Sequence, residues 1–220
     1  MLVRLALVTC MLHILALPSA AQQWVGAIKF GGALTTYSGD LAAGSTDWGY
    51  RVGIAGGGAI GYDFGNGLLA QLDITYVRKG ATTDVMQVSI PTKLRSDLTY
   101  LMLPLSLQFR FFTGGRVHPR LFVGPAAAFQ LEARIHLTTQ ESSGSGRNPR
   151  LTLSEVDESI ERVDLGAVAG AALEIEWGSQ RILVEARYYA GLQDITKPHE
   201  VLGDTTIRNN GIVLLAGFVF

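Results

Sequence analysis

The chain has 220 residues, 48% of them hydrophobic, with 26 glycines, 17% charged residues and a net charge of -1. That balance suits one ordered domain of modest size and excludes a disordered chain. So small a net charge supplies neither a basic field for nucleic acid nor an acidic tail, and no nucleic-acid partner is expected.

The N-terminus places Arg4 before an apolar run from Leu5 to Leu17, followed by Ser19, Ala20 and Ala21. This is the order of a secretory signal peptide, so residues 1–21 are expected to be removed, leaving a domain over 22–220. The apolar run is too short to span a bilayer as a helix. The only cysteine, Cys10, would leave with it, which excludes disulfides and thiol chemistry. Beyond this segment no stretch of eighteen apolar residues occurs, so helical membrane spans are excluded.

What recurs along the rest of the chain is period two, the strand period. Predicted strands one and two are WVGAIKFGGAL near 24–34 and YRVGIAGGGAIGYD near 50–63. The second contains GGGAIG, a literal match to the dinucleotide fingerprint, but a turn and another strand follow where that chemistry needs a helix, so the match is accidental. In strand three Leu68, Ala70, Leu72, Ile74 and Tyr76 share one parity, against Gln71, Asp73, Thr75 and Lys79. Strand four sets Leu101, Leu103, Leu105, Leu107, Phe109 and Phe111 against Met102, Ser106, Gln108 and Arg110. Strand five sets Leu121, Val123, Ala127, Phe129, Leu131 and Ile135 against Arg120, Gln130, Glu132, Arg134 and His136. Pro104 and Pro125 lie inside these strands and are expected at bulges or irregular ladder positions. Strand six (162–177) puts Leu165, Ala171, Leu173 and Trp177 opposite Arg162, Asp164, Glu174 and Glu176; strand seven (182–192) puts Val184 and Tyr188 opposite Glu185 and Arg187. Strand eight, 210–220, ends in GIVLLAGFVF.

Eight strands is an even number, as bacterial outer-membrane barrels require, and each covers the roughly 9–11 residues a tilted spanning strand needs. Connections alternate between tight turns (FGNG, TGGRVH, GSQ) and long segments at 35–49, 80–97, 137–160 and 193–209. That alternation is expected of a meander with periplasmic turns and extracellular loops. TTQESSGSGRNPR, in the third long connection, has the composition of a disordered stretch. The predicted fold is therefore all-β, an eight-stranded antiparallel up-and-down transmembrane β-barrel located in the bacterial outer membrane.

A soluble lipocalin-like barrel carrying an apolar ligand would show the same alternation with its apolar side inward. Three features place lipid outside. The polar parity carries small residues, such as Gly53, Ala55, Gly57, Ala59 and Gly61, that fit a narrow lumen filled by its own side chains. Charges on that parity nearly balance, with Lys29, Arg51, Lys79 and Arg181 joining Asp63, Asp73 and Glu176 beside a network expected from Arg110, Arg120, Glu132, Arg134, Arg162, Asp164, Glu174, Glu185 and Arg187. A plugged lumen without an open channel follows. Aromatic residues also collect at strand ends: Trp24, Tyr62, Phe111, Trp177 and Phe220 at the periplasmic rim, Tyr50 and Tyr76 at the other, as interfacial girdles do. Phe218 and Phe220, alternating on the lipid parity, resemble the signal read by the outer-membrane assembly machinery.

No catalytic set, metal site or cofactor is expected. His118, His136 and His199 have no ligand spacing. A lipid-modifying enzyme could use His136 with Glu132 and one of Ser142, Ser143 or Ser145, but parity points His136 inward, away from lipid. Glu174, Glu176 and Glu185 find a simpler role in ion pairs with Arg181 and Arg187 than as paired carboxylates of a glycosidase.

The run LTYLMLPLSLQFRFF (98–112) resembles the fourth strand of PorT-like outer-membrane β-barrel proteins, and LLAQLDITYVRKG (68–80) is similar to their third. RLFVGPAAAF (120–129) and VDLGAVAGAALEIE (163–176) resemble their fifth and sixth strands. Met102 departs from the family's frequent Glu. The resemblance implies a small outer-membrane barrel, with structural or surface-interaction loops and a link to protein secretion through a surface or secretion-system partner.

Overall fold

A strand that alternates between hydrocarbon and a packed interior satisfies its backbone only by pairing on both edges, and closing the sheet removes the last edge. The computed structural model describes residues 23–39, 49–65, 67–87, 90–111, 114–139, 150–153, 162–194 and 207–220. Its strands are β1 (Gln23–Ser38), β2 (Arg51–Asp63), β3 (Leu68–Gln87), β4 (Ile90–Arg110), β5 (Val117–Thr139), β6 (Arg150–Leu153), β7 (Val163–Trp177), β8 (Gln180–Gly191) and β9 (Arg208–Val219). All pairings are antiparallel and run β4-β3-β2-β1-β9-β8-β7-β5, with β4 on β5 closing the ring. Among the described residues β6 pairs with β5 alone, so the barrel itself has eight strands. Closure joins the chain's first and last strands, and Gly26 and Phe220 exchange both backbone hydrogen bonds at the seam.

The short turns and both strand termini lie at one end of the barrel. Gly65 and Gly67 take positive φ (80° and 84°) in the β2–β3 turn and Gly178 (63°) in the β7–β8 turn, conformations that side chains resist. At the opposite end the predicted loop over 80–97 is corrected: β3 and β4 continue through it to Gln87 and from Ile90 as one long hairpin. Thr82, Thr83 and Val85 are β-branched and no glycine interrupts them, so the pleated ladder simply runs on. With 20, 21 and 23 residues against 12 or 13 in β2, β8 and β9, strands β3, β4 and β5 project beyond the ring. The signal peptide, the serines at 142, 143 and 145, His199 and most of TTQESSGSGRNPR lie outside the described residues.

The lipid-facing parity is as expected, with Ile54, Ile74, Leu105, Val123, Leu173, Leu214 and Phe218 exposed, while the other parity is buried. This arrangement is the reverse of an apolar-lined soluble barrel, which the structure therefore rules out.

Strand five departs from the expectation in one place. Tyr100 pairs with Gln130 but Thr99 with Glu132, so Leu131 is an extra residue, a β-bulge. One extra residue inverts the faces of everything beyond it. Glu132, expected in the lumen, is exposed on the outer surface. Beyond the bulge the register pairs Arg134 with Asp97 and His136 with Arg95, and the side chains of Arg134 and His136 lie outside the described residues. Pro104 and Pro125 are irregular ladder positions without being bulges: pairing lapses at Pro104 on its β3 edge and at Pro125 on its β4 edge, while the register is unchanged on either side of each.

Candidate functional site: the charged lumen

Lys29, on β1, points into the lumen and is 1% exposed. Its neighbours in register are Gly57 on β2 and Gly217 on β9, so neither adjacent strand contributes a side chain beside it. The ammonium reaches past these glycines to the second strand on either side, pairing with Asp73 on β3 and, at 2.9 Å, with Glu185 on β8. Arg187, two residues along β8, pairs with Asp73 at 3.0 Å and with Glu185. Two cations and two anions thus form a closed ring in which each charge meets both opposite charges. All four are at most 3% exposed. Gln71 donates a further hydrogen bond to Asp73 at 2.9 Å. Four buried charges persist in so dry a place because each is paired and hydrogen-bonded.

Toward the short-turn end Glu174 pairs with Arg120 and, at 3.4 Å, with Arg181. Asp63 accepts from Arg110 at 2.8 Å, and Glu176 meets His118 at 3.2 Å near the mouth. Toward the other end Lys79 sits 3.5 Å from the Tyr189 ring centre and 5.1 Å from that of Tyr100, with Asp164 3.8 Å away. Asn209 donates to both Asp164 (2.8 Å) and the Tyr100 hydroxyl (3.3 Å), tying β9 to β7 and β4. Above this layer the strands pinch: the Thr35 hydroxyl bonds both the N–H and C=O of Gly80 at 2.9 Å, and Tyr37 meets Ser96 at 2.9 Å. These contacts reach from β1 to β3 and β4 past β2.

Six of the nine predicted network residues therefore lie in the lumen: Arg110, Arg120, Asp164, Glu174, Glu185 and Arg187. Three do not belong with them as expected. Glu132 is turned out by the bulge, and the Arg134 side chain lies outside the described residues. Arg162 is exposed beside the start of β7, where its carbonyl accepts the Gln130 N–H at 2.8 Å. The centre of the network is instead Lys29 and Asp73, whose inward parity is readable in the sequence but whose meeting with β8 depends on closure. GGGAIG lies in mid-β2, where Gly57 flanks Lys29.

Trp24, Tyr62, Phe111, Trp177 and Phe220 all stand at the short-turn end. Trp24 packs edge-on to Tyr62, and Tyr62 to Phe64, at 5.2 and 5.1 Å; Phe109 and Phe111 do so at 4.9 Å. Among the described residues no three metal-ligating side chains cluster.

Comparison with known proteins agrees with this architecture. The model of the outer membrane protein beta-barrel domain family matches residues 20–197. The crystal structure of OprG from Pseudomonas aeruginosa is similar at 14% identity, covering 90% of this chain and 97% of that one, with a TM-score of 0.51. Ail, the attachment invasion locus protein of Yersinia pestis, is similar at 16% identity over 90% and 99% of the two chains, with a TM-score of 0.43. No curated protein matches the sequence. A match over most of the chain, an eight-stranded closed ring with an apolar exterior and the fold shared with OprG lead to one conclusion: this chain belongs to the outer membrane protein beta-barrel domain family and is a small β-barrel of the bacterial outer membrane.

Proposed function

We propose that the protein is a closed, non-conducting barrel whose role is structural and surface-interactive, with no catalytic step of its own. The ring of Lys29, Asp73, Glu185 and Arg187 carries this proposal, because it fills the middle of the lumen with mutually paired charges. A water-filled pore would need that space open. The planar-bilayer experiment is direct: the purified protein is expected to give no sustained open state, and a stable large conductance would overturn the plug.

With the lumen closed, contact with partners falls to the long connections at the outer end. The PorT-like resemblance supports a surface or secretion-system protein as the class of partner. Phe218 on β9 and Phe220 just beyond it, both exposed on the lipid-facing parity, support recognition by the assembly machinery. Replacing both by Ser is expected to reduce the folded protein recovered from outer membranes several-fold while purified chain still refolds in detergent. Undiminished recovery in membranes would refute that role.

A further inference from the structure

Inside the short-turn end of the barrel three arginines meet with too few carboxylates to match them. Arg110 on β4 and Arg120 on β5 are direct register partners on the lumen alternation. In the adjacent pair the Phe111 N–H donates to the Pro119 carbonyl, so Arg110 and Arg120 form a non-hydrogen-bonded pair, the kind in which facing side chains stand closest. Like charges directly opposite one another are destabilising. Arg181 on β8 completes the group, since Arg110 and Arg181 both lie within electrostatic reach of Arg120.

Two carboxylates are set among them. Asp63 accepts from Arg110 at 2.8 Å, and Glu174 is shared by Arg120 and, at 3.4 Å, Arg181. Three guanidiniums against two carboxylates leave one positive charge in excess. Farther out, Glu176 meets His118 at 3.2 Å and stands opposite Arg181 in register, with exposed Arg116 beside it to offset its charge. The ring of Lys29, Asp73, Glu185 and Arg187 above is neutral as a whole and supplies no counter-charge. Arg110 and Arg120 each also keep a buried Nε–H that no described residue accepts. The group is reached from the mouth, where the Arg110 and Arg181 side chains are 20% and 31% exposed, while that of Arg120 behind them is 2% exposed.

We infer that Arg110, Arg120 and Arg181 form a phosphate-binding site at the short-turn mouth of the lumen. Chemistry and position decide the ligand. A phosphate has enough oxygens to take donors from several strands at once, and the edge of a guanidinium presents paired N–H groups to them. All three arginines lie on the lumen alternation, whereas Phe109 and Leu121 face lipid on the other. The ligand is therefore soluble and enters through the mouth. Bound there, it offsets the repulsion between Arg110 and Arg120 and ties β4, β5 and β8 together.

The test uses the full folded protein in non-ionic detergent, with inorganic phosphate and glycerol phosphate as probes and chloride at equal ionic strength as the comparison. Titration calorimetry reads binding, and the temperature at which the folded band is lost reads stability. Phosphate is expected to raise that temperature above its value in chloride, because a ligand of the native state alone stabilises it. A hydrogen bond to a charged group is worth about tenfold or more in affinity, so Arg110→Gln/Arg181→Gln is expected to bind phosphate at least tenfold more weakly. Arg78→Gln, exposed at the opposite end, is expected to change nothing. Asp63→Asn keeps the test open if the double variant fails to fold: it frees Arg110 from its carboxylate, and binding is expected to tighten several-fold. Binding of both probes supports a site for phosphate esters whose substituent leaves through the mouth; binding of inorganic phosphate alone supports a site for the free anion. Equal stabilisation by chloride, a loss matched by Arg78→Gln, or no gain from Asp63→Asn would overturn the site. A conducting channel in the bilayer experiment would refute the plug and leave this site untouched.

Discussion

Lys29→Met is expected to destabilise the folded barrel by about 3–5 kcal/mol, the cost of leaving buried charges without their partner. Lys29 holds Asp73 and Glu185 together from the strand midway between theirs, and without it Arg187 alone faces two carboxylates. The paired variant Lys29→Met/Glu185→Gln removes one charge of each sign and leaves the Arg187–Asp73 pair intact, so it is expected to recover much of the loss. Urea unfolding from lipid vesicles, followed by tryptophan emission, measures both. A single-variant loss below about 1 kcal/mol, the range of exposed pairs, would show that the ring is not what locks the lumen.

The second large effect is steric and separates two adjacent glycines. A Cβ on Gly57 would lie 1.9 Å from the Ile74 carbonyl oxygen, and one on Gly217 1.9 Å from that of Ile28. Both obstacles are backbone, so the strands themselves must part. Gly57→Ala and Gly217→Ala are each expected to cost about 3 kcal/mol, the upper range of overpacking, and to reduce the heat-modifiable folded band. Gly58 faces out, and its Cβ would come no closer than 3.5 Å to the Ala27 oxygen. Gly58→Ala is expected to be tolerated. Equal effects at positions 57 and 58 would mean that glycine is needed in β2 for reasons other than the narrow lumen.

Much of this barrel was legible before any coordinates. Residues such as Leu72, Leu105, Val123 and Leu214 fall on one parity and Asp73, Arg120 and Glu185 on the other, because a strand between lipid and a packed interior has no third environment to sort into. Turn glycines marked one end by the same logic. Less legible was the long β3–β4 hairpin, since its sequence from Thr82 to Arg95 mixes polar and apolar residues without the clean alternation of the spanning strands. Least legible was Leu131: a bulge adds one residue without changing composition, and an apolar Leu beside Phe129 gives no warning. The misplacement of Glu132 descends from that one residue.

Period, small residues and balanced charge were enough to determine a closed barrel with lipid outside and charges within, because each is a property of single strands. Which charges meet, and which leave the lumen altogether, was decided only by the tertiary structure. Lys29 and Glu185 are 156 residues apart and touch because β9 closes on β1 and brings β8 around the ring. Closure and register are properties of all the strands together, and no single strand records them.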